Sequence, residues 1–156
     1  MRKRVITAMG KCAMRNTRRI LESVVVKGGA MYASDETVLV RIRSEELAAV
    51  PEGAWKVAMA PLAAMRPTDD VPVASLLLPE ERPVPGYDEC LASLGKTGRG
   101  EREHAFDPAL VRKVADVFSA AGADMRVEDM GYCIVAEGSG ERGLEISAAV
   151  MGKVLR

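Results

Sequence analysis

Two stretches of the chain have the alternating apolar and polar positions of β-strands. In residues 21–43, runs of β-branched residues are divided by Gly28-Gly29 and by Ser34-Asp35-Glu36, which are turn signals. We therefore predict three strands, near residues 21–27, 30–34 and 37–43. In the third, apolar residues occupy every second position from Val38 and arginines lie between the later ones, which is typical of a sheet with one face in solvent.

The second stretch combines a predicted helix with three more strands. Asp107 is a candidate N-cap, Pro108 takes the first helical position and Gly122 ends the helix. Apolar residues between Leu110 and Phe118 recur at steps of three and four residues, which predicts one buried stripe. The strands that follow are expected near residues 125–127, 132–136 and 144–150, and a short strand in GEREHAF (100–106) precedes the helix. This half of the chain is therefore predicted to be β-α-β-β-β.

The first half of the chain is a looser copy of this order. Residues 4–8 are predicted as a short strand and residues 11–19 as a basic helix, ahead of the three strands described above. Between the halves, AWKVAMAPLAAM (54–65) is predicted to be a helix, with a break at Pro61 as the alternative. The proline-rich segment after it is expected to be an extended loop with one buried run, residues 71–78. The predicted fold class is α+β.

Charge is balanced over the whole chain but not along it. The 156 residues, which suit one domain, carry 22 basic and 22 acidic side chains. Residues 1–29 hold eight of the basic groups, with Glu22 as their one acidic group. This excess predicts a basic face that can hold a polyanion, and the alternative is a solvated basic tail. The sequence has neither an apolar run long enough to span a membrane nor the apolar centre of a signal peptide, so we expect no membrane association.

The cysteines argue against disulfides and against zinc. Cys12, Cys90 and Cys133 are odd in number, far apart and never in a C-x-x-C pair. We therefore expect three reduced thiols, no metal and no cofactor. Reduced thiols also suit a cytoplasmic location.

Motifs associated with catalysis occur in contexts that do not suit them. Residues 138–143 match G-x-G-x-x-G, but a strand pattern follows where a dinucleotide fold needs a helix, so we predict a hairpin turn. Gly95-Lys96-Thr97 lacks the opening glycine of a phosphate-binding loop, because Cys90 stands in its place. His104 is the one histidine, and no nucleophile motif adjoins it. We expect a protein that is not an enzyme, and an enzyme site around His104 is the third hypothesis.

Four short segments, in this order along the chain, resemble bacterial DNA sliding clamps. Residues 20–42, ILESVVVKGGAMYASDETVLVRI, resemble the family's meander of strands. Residues 83–94, PVPGYDECLASL, resemble its "FPdY..viP" segment, and residues 104–118, HAFDPALVRKVADVF, resemble its "f....Ll.al" helix. The closing AAVMGKVLR (148–156) resembles its C-terminal "vvMPmrL".

The resemblance implies a DNA-clamp-like domain of two β-α-β-β-β repeats related by a pseudo-twofold axis, with the helices facing DNA. Repeat one would be residues 1–44, repeat two residues 101–156, and residues 45–100 an enlarged connection. In a second register, AWKVAMAPLAAM starts a repeat and the chain straddles two clamp domains. Because the family's rings contain six domains, ring closure by this chain implies a homo-oligomer of about six copies or a larger partner.

The resemblance also implies a non-catalytic function on double-stranded DNA. Helices that line a clamp contact phosphates without reading bases, so the contact depends on charge and on salt. The residues expected to contact DNA are Lys11, Arg15, Arg18, Arg19, Arg112 and Lys113. The alternative for Arg112 and Lys113 is the solvent-exposed face of an ordinary amphipathic helix.

A pocket for short peptides of polymerase or repair proteins is the last implication of the resemblance. Its expected residues are Leu39, Val150, Met151, Val154 and Leu155. Gly152 and Lys153 stand where the family has Pro and Met, and Glu36-Thr37-Val38 replaces its Gly-His-Arg. These departures motivate the alternative, a clamp-fold interaction module that does not bind DNA.

Overall fold

The computed structural model describes residues 1–13, 23–35, 37–81, 83–94 and 104–154, without the side chains of Met59 and Val154. Within these residues the protein forms five α-helices and ten β-strands, so the predicted α+β class is confirmed. The helices are α1 (Lys3–Ala13), α2 (Glu45–Ala48), α3 (Met59–Ala63), α4 (Tyr87–Leu94) and α5 (Pro108–Ala121). The strands are β1 (Val24–Lys27), β2 (Ala30–Ser34), β3 (Val38–Arg43), β4 (Gly53–Val57), β5 (Leu77–Glu80), β6 (His104–Ala105), β7 (Arg126–Asp129), β8 (Cys133–Ser139), β9 (Glu145–Met151) and β10 (Lys153–Val154).

Eight of the strands form one antiparallel sheet in the order β5-β4-β1-β2-β3-β9-β8-β7. This order contains two meanders, β1-β2-β3 and β7-β8-β9, and a helix precedes each of them in the chain, α1 and α5 respectively. The meanders join through their last strands, which pair from Val38↔Val150 to Arg43↔Glu145. Two units, each of one helix and three strands, are therefore joined at a central antiparallel pair of strands, β3 and β9. The strands predicted for both meanders are confirmed, with residues 21 and 22 outside the described residues.

The main core lies between one face of the sheet and the two helices. Val38, Val40 and Ile42 of β3 belong to it, as the alternation in the sequence predicts. Helices α1 and α5 pack side by side over this face. Their fully or almost fully buried side chains are Val5, Ile6, Met9, Cys12, Val114, Val117 and Phe118. The apolar stripe predicted for α5 is therefore the surface that covers the sheet.

The boundaries of α5 follow from local chemistry. The Asp107 side chain accepts a hydrogen bond of 2.9 Å from the backbone N–H of Ala109, which caps the first turn. Gly122 ends the helix in the left-handed conformation, with φ of 65°. The N-cap, the first-turn proline and the C-terminal glycine are all where the sequence predicts them.

The strand predicted for residues 4–8 is wrong, because this segment belongs to α1. Buried positions Val5, Met9 and Cys12 are spaced at helical steps, and this period outweighs the short alternation in RVITA. Carbonyl groups from the connection stabilise the first turn: Asp69 accepts from the N–H of Lys3 at 2.9 Å, and Pro67 from that of Arg4 at 3.2 Å. Residues 14–19 of the predicted basic helix lie outside the described residues.

The single helix predicted for AWKVAMAPLAAM is wrong in its first half. Residues 53–57 form β4, which pairs with β1 on one side and with β5 on the other. Helix α3 begins only at Met59, and Pro61 lies in its first turn, where a missing N–H costs no helical hydrogen bond. The continuous buried run predicted at 71–78 is wrong, because only Val71, Val73, Leu76 and Leu77 are buried and the other four residues are exposed. A 3₁₀ turn (73–76) leads into β5, and α4 also lies in the segment predicted to be an extended loop.

The opposite face of the sheet is covered by α4. Its Tyr87 and Leu91 pack on Val25 and Tyr32, with the rings of Tyr32 and Tyr87 stacked at 5.9 Å between centroids. Leu94 packs on Cys133 and Ala149 nearby. The connection thus supplies an outer layer, and the sheet is sandwiched between α4 and the α1–α5 layer.

The two remaining strands form a small ribbon beside the sheet. Lys153 of β10 lies opposite Ala105 of β6, so the end of the chain pairs with the segment that leads into α5. The short strand predicted within residues 100–106 is therefore confirmed at 104–105, and residues 100–103 lie outside the described residues. None of the helices in the described residues is both long and apolar enough to cross a membrane.

Candidate functional site

A basic groove lies between α1 and α5, on the side of the helices away from the sheet. We call it the helix groove. Its polar and charged lining consists of Lys3, Arg4, Thr7, Lys11, Lys113 and Asp116. The α1 residues occupy one stripe, because positions 4, 7 and 11 are three and four residues apart. Four cations face one carboxylate along the groove, so its net charge is positive.

Lys113 joins the two units of the fold. Its ammonium group donates to the Asp35 carboxylate, which lies in the turn between β2 and β3 and is 5% exposed. Asp35 also accepts from the hydroxyl of Thr37 and from the N–H of Val38, each at 2.9 Å. Burial raises the pKa of Asp35. The hydrogen bonds from Lys113 and Thr37 and the charge of Lys113 together lower this pKa by more than burial raises it, so it lies below its ordinary value. The charge of Lys113 is therefore largely neutralised within the protein.

The N-terminal cations of the groove also have partners inside the chain. Lys3 donates to the carbonyl oxygen of Met65. Arg4 lies 3.9 Å from one carboxylate oxygen of Glu141, and Arg2 lies 2.6 Å from the other. These contacts tie the start of α1 to the connection and to the turn before β9, and they leave only part of each charge for a ligand.

Two of the residues predicted to bind DNA are exposed on the layer formed by α1 and α5, which we call the helix layer. Lys11 lies at the edge of the helix groove, and Arg112 lies on the outer side of α5. Lys113 is in the groove but paired with Asp35. Arg15, Arg18 and Arg19 lie outside the described residues. The structure thus brings Lys11 and Arg112 to one layer and gives Lys113 a partner that the sequence did not predict.

The structure divides the described residues that were predicted to form a peptide pocket between the two faces of the sheet. Val150 lies opposite Val38 and faces the core, whereas Leu39 lies opposite Ala149 on the other face of the sheet. Met151 shares the face of Leu39, and its side chain is partly exposed. The cause of this division is the β3–β9 register, in which successive side chains alternate between faces, so Val150 lies apart from Leu39 and Met151 and the pocket itself stays a prediction. The side chain of Val154 and the whole of Leu155 lie outside the described residues.

Gly152 lies where the chain passes close to the segment before α5. A Cβ at Gly152 would lie 3.0 Å from the Cβ of His104 and 3.0 Å from the ring of Phe106. A side chain at position 152 would therefore need a shift of a few tenths of an ångström in these neighbours, which glycine avoids.

The G-x-G-x-x-G segment has a structural function in the hairpin between β8 and β9, as the sequence predicts. A Cβ at Gly138 would overlap the carbonyl oxygen of Asp124, and one at Gly140 would lie 2.7 Å from that of Ala121. Both glycines thus allow the hairpin to approach the end of α5. The phosphate-binding candidate at 95–97 lies outside the described residues.

The histidine and the cysteines of the described residues are not among the side chains that line the helix groove. His104 is half-buried in β6, on the ribbon and away from the helix groove. Burial raises the pKa of the Cys12 thiol to about 12, with only partial opposition from Lys113. Cys12 and Cys133 are buried free thiols, and Cys90 is an exposed one. No group of three or more His, Cys, Asp or Glu side chains among the described residues could hold a metal ion.

Sequence reasoning missed the ionic contacts that hold the helix layer in place. Lys113–Asp35 and Arg2–Glu141 both join residues more than 70 positions apart. A pair at this separation has no periodic signal in one sequence.

Comparison of the chain with protein-family models, with curated proteins and with solved structures finds no match.

Proposed function

We propose that this protein is a non-catalytic, sliding-clamp-like protein that associates with double-stranded DNA through the helix layer. The observation that carries the proposal is the positive helix groove between α1 and α5. The two helices belong to equivalent units of one helix and three strands, joined at the β3–β9 pair. This arrangement supports the proposal, because each unit has the helix and the three following strands of the repeat that the resemblance implies, although unit one lacks the leading strand.

Electrostatics supports a contact with phosphates and not with bases. Lysine and arginine on the outer side of two helices present charge along a stripe, which suits contacts with the regularly spaced phosphates of a duplex. The whole chain has no net charge, so any attraction to DNA has to come from a local excess of basic groups such as this layer. We therefore expect binding that is independent of sequence and weakens steeply with salt.

Charge reversal on the helix layer tests the proposal. In the variant K11E/R112E, both exposed cations of the layer become anions. The matched control is R43E/K56E, because Arg43 and Lys56 are exposed on the opposite face of the sheet and the net charge changes equally. Duplex binding is measured by fluorescence anisotropy at low salt. We expect K11E/R112E to lose at least tenfold in affinity, about 1.4 kcal/mol, and the control to bind like the wild type.

Two results would contradict the proposal. Equal losses in both variants would show that only net charge matters. If the wild-type protein does not bind duplex DNA at low salt, the proposed DNA-binding function is wrong.

The second candidate is a clamp-fold interaction module that does not bind DNA. One observation favours it: Lys3, Arg4 and Lys113, three of the four cations in the helix groove, already contact oxygen atoms of the chain. In that case the groove is a structural joint between the units. Wild-type protein would then fail to bind DNA while K11E/R112E remained as stable as the wild type.

A further inference from the structure

Strand β7 forms one edge of the sheet, and all four of its residues are exposed. Its inner side pairs with β8, from Arg126↔Glu137 to Asp129↔Ile134. The outer side of an edge strand presents N–H and C=O groups that can pair with another strand. Val127 adds an apolar contact there, because its side chain is 54% exposed. This edge therefore offers both backbone groups and an apolar side chain.

The side chains of β7 divide between the two faces of the sheet. Val127 lies opposite Ala136, which belongs to the core under α1 and α5. Arg126 and Glu128 therefore project on the other face, the face that α4 covers elsewhere. Basic and acidic groups thus lie two residues apart on the same face of one edge strand.

Geometry limits how two copies of β7 could pair. In an antiparallel pair, two residues opposite each other have their side chains on the same face of the sheet, and their backbone groups point either toward each other or away from each other. A twofold axis that relates two identical strands therefore passes between a residue and its own copy, and it cannot place a residue opposite the copy of its sequence neighbour. A twofold axis at Val127 places Val127 opposite its own copy and Arg126 opposite Glu128 of the other chain, twice. An axis at Glu128 instead places Glu128 against Glu128 and Val127 against Asp129. Only the first register has complementary charges.

We infer that β7 pairs with β7 of a second copy of this chain, antiparallel, about a twofold axis at Val127. The interface is isologous: two Arg126–Glu128 pairs flank one Val127–Val127 contact, and the two sheets become continuous. The same charges reject the neighbouring register, which keeps the edge from pairing at random. This inference does not rest on DNA binding.

The other edge of the sheet is a poorer partner for β7. In β5, Pro79 has no N–H to donate, and prolines on edge strands oppose pairing. A β5–β7 pair that matches Glu80 with Arg126 places Pro79 opposite Val127, and it gains one ionic contact where the β7–β7 pair gains two. The isologous pair is therefore favoured over a head-to-tail arrangement.

The size of the interface sets the expected affinity. A contact made by two strands of four residues is well below the roughly 1,200 Å² that stable interfaces bury. Main-chain hydrogen bonds supply most of the attraction in strand addition. We expect a reversible dimer with a dissociation constant on the order of micromolar or weaker, which forms as the concentration rises.

Sedimentation equilibrium with charge variants tests the register. R126E should shift the dissociation constant at least tenfold toward monomer, because the new carboxylate at position 126 then faces Glu128 of the other copy. The swap R126E/E128R should restore the dimer, since it exchanges the two charges and leaves opposite charges facing each other across the axis. Both variants place a carboxylate beside Glu137 of β8, so a fold defect would affect them equally. A dimer unaffected by R126E, or one that the swap does not restore, overturns the inference, as does a monomer at every concentration.

A cysteine at the axis gives a second measurement that does not depend on charge. In a C90S background, which removes the exposed native thiol, V127C should form a disulfide-linked dimer of twice the 16.7 kDa chain under oxidation. Residues opposite each other have Cα atoms about 4.5 to 5.5 Å apart, within disulfide range. E128C is the matched control and should stay unlinked. Linking of E128C in place of V127C indicates the other register, and a dimer that V127C does not link indicates another surface; either result overturns the inference.

Discussion

The ion pair between Asp35 and Lys113 is expected to couple the two units of the fold energetically. Substitution of Lys113 by Met keeps the packing of the stem but leaves the Asp35 carboxylate buried without its cation. Breaking a buried pair in this way costs about 3 to 5 kcal/mol. We expect about 2 kcal/mol here, because a fifth of the Lys113 side chain is exposed and Asp35 keeps its bonds from Thr37 and Val38.

A double-mutant cycle measures this coupling. D35N should also cost about 2 kcal/mol, since the ammonium group of Lys113 loses its charge-assisted hydrogen bond. The double variant D35N/K113M should cost little more than either single variant, which gives a coupling energy of about 1.5 to 2 kcal/mol. Urea unfolding followed by circular dichroism provides the free energies of unfolding. Costs that add to within about 0.5 kcal/mol would refute the coupling.

The pH dependence of the same cycle has a definite sign. The pKa of Asp35 is lower in the folded protein than its ordinary value of 3.8. The stability that this shift contributes is present above pH 3.8 and is lost as the pH falls through the folded pKa. The difference in unfolding free energy between the wild type and D35N should therefore shrink in acid. A difference that stays constant down to the lowest pH at which the protein remains folded would contradict the role of the carboxylate.

Two further predictions concern the hairpin and the thiols. G138A should destabilise the protein by about 3 kcal/mol, because its Cβ would meet the Asp124 carbonyl. G143A has open space around its Cβ but a φ of 69°, and it should cost about 1 kcal/mol. Both costs are measured by urea unfolding, and equal costs would show that backbone conformation alone matters. Maleimide at neutral pH should label Cys90 alone in the folded chain and all three cysteines in urea. The reason is that Cys12 is buried with a pKa of about 12 and that Cys133 is buried too. Mass spectrometry identifies the labelled residues, and labelling of Cys12 in the folded chain would contradict its burial.

Sequence reasoning succeeded where the determinants of structure are local. The ends of α5 follow from Asp107 and Gly122, which act within one turn of the helix. The meander strands follow from alternation and from turn residues such as Gly28-Gly29, both of which have positive φ.

It failed where distant parts of the chain decide. Residues 53–57 have an ambiguous pattern, and pairing with β1 and β5 makes them a strand. The first turn of α1 depends on carbonyl groups of Pro67 and Asp69, more than 60 residues away. Local alternation therefore misled the prediction for residues 4–8.

The candidate site shows the same division. Lys11 and Arg112 could be predicted as exposed cations from helical spacing. The partner of Lys113 could not, because Asp35 is 78 residues distant. The faces of Leu39 and Val150 depend on the β3–β9 register, which a single sequence does not reveal.

The salt dependence of duplex DNA binding tests the central claim most directly. Each phosphate contact contributes a slope of about −0.9 to the plot of log affinity against log salt. If Lys11 and Arg112 contact phosphates, the slope for K11A/R112A should be shallower than that of the wild type by about 1.8. The control R43A/K56A, on the opposite face of the sheet, should keep the wild-type slope. Equal slopes for the three proteins would contradict the assignment of the helix layer as the DNA-binding surface.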